Sequence, residues 1–178
     1  MAMSKEFRGD ECSELLLYYL LPYLSQRKWF CDLDGVLADF DGGVSKLLGS
    51  KYTSKELWKA VTANSKSFWK NLEWLRNGKR LWQAISDKNP SILTGLPYSN
   101  KWDAINGKRD WCKKNLNLES DRVITCWSRD KFKHCSPGDI LIDDREKARE
   151  PWEKAGGIFI LYDPNNIENV LKQIAEIH

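Results

Sequence analysis

Three short apolar runs stand out along the chain, and each one ends in polar side chains. Lys28-Trp29-Phe30-Cys31 runs into Asp32, Ser91-Ile92-Leu93 into Thr94-Gly95, and Asp139-Ile140-Leu141-Ile142 into Asp143-Asp144. Runs of this length bounded by turn residues read as buried strands. Elsewhere the apolar positions recur at helical spacing. Tyr98 to Leu116 predicts a helix whose core stripe is Trp102, Ile105, Cys112 and Leu116, and Arg145 to Ala155 predicts another. Ile167, Val170, Leu171, Ile174 and Ile177 mark a terminal amphipathic helix behind a cap at Asn166. Strands alternating with helices imply a parallel sheet, in which ligands bind beyond the carboxyl ends of the strands. All three polar endings fall on that edge.

The first ending carries the most chemistry. Residues two apart on an extended strand point the same way, so Asp32 and Asp34 can converge while Leu33 faces the core. Gly35 lets the backbone turn away without a side-chain clash. An EF-hand loop also opens Asp-x-Asp, but it then needs a third oxygen ligand, a glycine and a closing glutamate, where this chain has Val36, Leu37 and Gly43. An ordinary Asp-Gly turn would explain the pentapeptide taken alone. The second acidic ending, Asp143-Asp144, favours a shared site.

Composition agrees with a small enzyme. The chain has 178 residues, 42% of them hydrophobic, enough for one domain with a sizeable core. Its net charge of +3 is spread along the chain, so no electrostatic footprint for nucleic acid stands out. Cys12, Cys31, Cys112, Cys126 and Cys135 show no zinc spacing, which fits free thiols in a reducing cytoplasm. The run from Leu15 to Leu24 is too short to cross a bilayer, and Asp10 and Glu11 before it argue against a secretory signal. It reads as a helix packed on the sheet or across a homodimer interface, with no membrane partner.

At these motifs the chain resembles the haloacid dehalogenase superfamily of phosphatases and phosphotransferases. Asp32 to Phe40, Phe68-Trp69, Leu141 to Arg145, Trp152 and Ala155-Gly156-Gly157 look most like its deoxyribonucleotidase branch and the bacterial and phage relatives, over about Lys28 to Tyr162. The resemblance implies a Rossmann-like three-layer α/β fold with a small helical cap between the first and second motifs. The implied division is an N-terminal helical segment over 1–27, a core over 28–41 and 90–178, and the cap over 42–89.

It further implies that Asp32 is the nucleophile, Asp34 the general acid and base, and Thr94 with Gly95 a phosphate-binding pair. Lys131 becomes the phosphate lysine, chosen over Lys133 on the Arg-Asp-Lys order. The implied cofactor is Mg2+, held by Asp32, the backbone carbonyl of Asp34 and Asp144, with Asp143 acting through water or on the lysine. Asp143 or Asp144 can also cap the helix that follows. Phe40 and Trp69 are candidate substrate contacts among the aromatics Tyr52, Trp58, Phe68, Trp74 and Trp82.

The expected activity is a magnesium-dependent phosphomonoesterase acting on a small phosphomonoester, first of all a nucleotide or deoxynucleotide. The cap is short for that branch, which keeps a nucleic-acid 3′-phosphatase as the rival enzyme. A binding module that kept the fold without turnover is the rival of another class.

Overall fold

Five parallel strands pair in the order β3-β2-β1-β4-β5. They are β1 Trp29–Cys31, β2 Ser91–Gly95, β3 Val123–Cys126, β4 Ile140–Asp143 and β5 Ile158–Leu161. The structure is a computed structural model that describes residues 27–177. Register pairs Phe30 with Leu141, Cys31 with Ile142 and Leu141 with Phe159. Alternation therefore sends Phe30, Leu93, Leu141 and Phe159 to one face, where Trp152 meets Phe30 edge-on at 5.6 Å. Cys31, Ile92, Ile140, Ile142 and Ile160 build the larger core on the other face. Burial on both faces is why the strands read as continuous apolar runs.

The helices, in chain order, are α1 Phe40–Leu48, α2 Ser54–Ala63, α3 Ser65–Phe68, α4 Gly78–Ile85, α5 Lys101–Leu116, α6 Arg149–Lys154 and α7 Ile167–Ala175. The first four precede β2, and Val44, Val61, Phe68, Leu81 and Ile85 from them share the larger core with the sheet. Arg80 on α4 donates twice to Glu168 on α7, at 2.5 and 3.0 Å. On the opposite face α6 supplies Trp152.

Three helix expectations need correction. Helix α5 begins at Lys101 because Asn100 takes a left-handed φ of +50°. Its buried side is Ala104, Gly107, Lys108, Trp111 and Cys112, so Trp102, expected in the core, is 76% exposed. The helix expected over Arg145 to Ala155 is instead a 3₁₀ turn, Glu146–Ala148, followed by the six-residue α6. Pro151 has no N–H with which to continue an α-helical ladder from residue 145, and it is tolerated only in a first turn. Asn166 stands at the N-cap of α7 without a capping bond from its side chain.

Strands β3 and β5 were not anticipated at all. The apolar run Leu15 to Leu24, and Cys12, lie outside the described residues. Among the described residues four cysteines are free, and no helix is long and apolar enough to cross a membrane.

Candidate active site

Pairing between β1 and β4 continues one residue past the strand, through the bond from Asp32 N–H to Ile142 O at 2.9 Å. This holds Asp32 beside Asp143, the last residue of β4. Asp32 Oδ1 accepts from the Leu33 N–H at 2.8 Å, and Asp32 Oδ2 lies 2.7 Å from Lys131 Nζ. The same ammonium reaches Asp143 Oδ2 at 2.6 Å, and Asp143 Oδ1 accepts from the Arg145 N–H at 2.9 Å. Asp143 thereby caps the turn that follows β4 while holding the lysine. Lys131 comes from the 3₁₀ stretch Ser128–His134 after β3 and is buried; Lys133 is exposed and pairs with Asp130.

The chain then turns sharply. Gly35 adopts φ +78°, and Leu33 O accepts from the N–H groups of Leu37 and Ala38 at 2.9 and 2.8 Å. The Asp34 carboxylate meets a different cation, with Oδ2 only 2.5 Å from Lys108 Nζ. Lys108 also donates to Thr94 Oγ1 at 2.9 Å and to Gly95 O at 2.5 Å. Two buried ammonium groups thus divide the Asp-x-Asp pair, one tying β1 to β4 and the other tying it to β2.

Lys108 was missed by sequence reasoning. The available signal was a cation at the centre of the spacing Ala104, Lys108, Cys112, one face of a helix. The stripe drawn through Trp102 and Ile105 passed it by.

Asp32, Asp143 and Asp144 each offer an oxygen within 4.8 Å of the other two. Asp144 is an exposed residue, but the protein atoms packed around its carboxyl, followed by the charges of Asp32 and Asp143, push that group up to about 7. Burial also raises Asp143 and Asp34, with Lys108 pulling Asp34 back. Lys131 is held above its ordinary value by Asp32 and Asp143 against the opposing effect of burial.

Four carboxylates facing two ammonium groups leave an excess of negative charge, and the three clustered ones present only hard oxygen donors. That donor set fits a magnesium ion. The Asp34 side chain belongs to Lys108, so its contribution to such a set would be its backbone carbonyl.

A cleft of about 390 Å³ opens beside this cluster, with Gly35, Phe40, Asp144, Tyr162 and Asp163 among the residues that line it. Phe40 stacks on Trp69 at 5.8 Å, but Trp69 itself is buried, so of the two it is Phe40 that borders the cleft.

No family model matches the chain. The mitochondrial 5′(3′)-deoxyribonucleotidase of Mus musculus is 25% identical over 141 residues, 79% of this chain and 54% of that protein. The chain thus spans about half the length of the curated relative it matches. A hydrolase from Streptococcus pneumoniae TIGR4 superposes with a TM-score of 0.50 at 14% identity, covering 82% of this chain and 98% of that one. The chain shares the fold of that hydrolase, a parallel five-stranded sheet with helices on both faces.

Within this sheet, β1 is central and the strand order reverses on either side of it. Asp32, Thr94 and Asp143 therefore gather at the switch point where ligands of such sheets bind. A HAD-superfamily hydrolase from Ehrlichia chaffeensis also aligns, with a TM-score of 0.47 at 14% identity over 84% of this chain and 96% of that one.

Proposed function

We propose that this chain is a magnesium-dependent phosphomonoesterase working through an aspartyl-phosphate on Asp32, with nucleotides or deoxynucleotides as its first substrate class. The observation that carries the reading is the division of Asp32 and Asp34 between Lys131 and Lys108. Carboxylates two residues apart are thereby set in different surroundings, as a nucleophile and a proton carrier require.

In this reading Asp32 attacks phosphorus, the ester P–O bond breaks, and Asp34 gives its proton to the departing alkoxide. A water then attacks the phosphoryl group, Asp34 takes its proton, and the bond from phosphorus to Asp32 breaks to release phosphate. Lys131 balances charge on the transferred group. Thr94 gives its hydroxyl hydrogen to a phosphate oxygen. A magnesium ion held by Asp32, Asp144 and the carbonyl of Asp34 would offset the repulsion between carboxylate and phosphate dianion. The helices between residues 42 and 89 serve as the cap, with Phe40 at its lip offering a ring to a nucleobase.

A phosphorylated nucleic-acid end is the second reading. Tyr98 and Trp102, just past Thr94-Gly95, are 83% and 76% exposed, and Tyr98 lies 5.1 Å from the ring of Trp127. Exposed rings of this kind stack bases of a single strand.

Phosphate release from nucleoside monophosphates, sugar phosphates and phosphorylated oligonucleotides, each with magnesium and with EDTA, tests both readings. Magnesium-dependent release that Asp32→Asn abolishes is expected, with mononucleotides preferred. Preference for oligonucleotide ends would select the second reading, and activity surviving in Asp32→Asn would overturn the mechanism.

A further inference from the structure

Lys108 touches no reacting atom in the reaction as outlined, yet it is wholly buried on α5 and meets both halves of the site. An ammonium group has three hydrogens, and here they go to Asp34 Oδ2, Thr94 Oγ1 and Gly95 O. None is left for a phosphate oxygen. Lys131, by contrast, meets two carboxylates and keeps one hydrogen to give. The Lys108 ammonium also stands 4.8 Å over the ring of Trp69. A cation so enclosed is expensive to bury unless its partners are well placed, and these partners come from the β1 turn and the end of β2.

The other oxygen of Asp34 points to what this arrangement is for. Asp34 Oδ1 is buried and, among the described residues, has no hydrogen-bond partner. Buried acceptors left empty are rare in native structures and call for a reason. Service as the oxygen left free to exchange a proton with a substrate, while Oδ2 is held by Lys108, supplies one.

We propose that Lys108 is a positioning residue: by engaging Asp34 Oδ2 it leaves Oδ1 as the oxygen that passes the proton to the leaving alkoxide. By engaging Thr94 Oγ1 and Gly95 O as well, it pins that oxygen to the phosphate-binding end of β2. The inference rests on the acid role proposed for Asp34.

The test uses the magnesium-loaded protein and kcat/KM, which reports steps up to release of the first product. Phenyl phosphate, 4-nitrophenyl phosphate and 2,4-dinitrophenyl phosphate form a series in which the leaving group needs progressively less protonation. Lys108→Met is expected to lower kcat/KM about a hundredfold on phenyl phosphate and to approach the parent on the dinitrophenyl ester. An equal loss on all three esters would mean a general structural role and would overturn the inference while leaving the phosphatase reading standing.

The second arm places Lys108→Met in the Asp34→Asn background. There it removes no charge from an ionised partner, so the double variant stays informative even if the single one folds poorly. Equal kcat/KM for Asp34→Asn and the double variant is expected, since Lys108 acts through Asp34. A further drop would overturn the inference. A parent protein inactive on every ester would remove the phosphatase reading and this inference with it.

Discussion

The ammonium of Lys131 lies 2.7 Å from Asp32 Oδ2, and both side chains are buried. With Asp143 on its other side, this lysine is the partner that keeps two buried carboxylates compatible with a folded sheet. Lys131→Met leaves both uncompensated and is expected to cost about 3–5 kcal/mol of stability. Urea unfolding measures it. A loss below about 1 kcal/mol would place the two acids in wetter surroundings than their burial indicates.

Gly35 gives a second prediction. It holds φ +78°, and a Cβ built there would lie 2.5 Å from Asp144 Oδ2. Gly35→Ala therefore strains the backbone by roughly 1–2 kcal/mol and also displaces a proposed metal ligand. Gly49 is the control, because it holds φ +80° with nothing within 4 Å of a built Cβ. Both alanine variants are expected to melt lower, but only Gly35→Ala should lose the stabilisation given by added magnesium. Thermal melts with and without the ion distinguish them.

The third prediction concerns pH. Asp144, though exposed, is pushed up to about 7 by the protein atoms around its carboxyl and by Asp32 and Asp143, whereas in an unfolded chain an aspartate returns to ~3.9. A native state that holds its proton to higher pH than the unfolded state loses stability as pH rises between those two values. Asp34 and Asp143 are shifted in the same direction. In EDTA the melting temperature is expected to fall from about pH 4 to about pH 7. Magnesium competes with the proton for the same oxygens, so its stabilisation should grow across that interval. A magnesium effect independent of pH would contradict the cluster.

Fourth, the two tryptophans of α5 should behave oppositely. Trp111 is fully buried and its Nε1 donates to Leu72 O at 2.8 Å, so Trp111→Ala is expected to cost about 3–5 kcal/mol. Trp102→Ala, at an exposed position, should stay within about 0.5 kcal/mol. Chemical denaturation of the two variants side by side checks the direction in which α5 faces.

Those tryptophans also mark where the sequence was legible and where it was not. β1, β2 and β4 were readable because burial on both faces writes them as unbroken apolar runs ending in polar groups. β3 and β5 are just as short, but Val123–Cys126 and Ile158–Leu161 end in no chemistry that draws the eye. The face of α5 was misdrawn because a buried lysine counts against an apolar stripe until its partners are known, and those partners lie 13, 14 and 74 residues away in the chain. Lys131 was readable from a local motif; Lys108 needed the fold.

Strand order carries a consequence for how the molecule comes into being. β1 is the earliest strand among the described residues, yet its neighbour β4 arrives only after β2 and β3. Until then Asp32 has neither Lys131 nor the Ile142 carbonyl beside it. The centre of the sheet therefore waits on strands far down the chain, and the proposed site is complete only after β2, β3 and β4 have all been added beside β1.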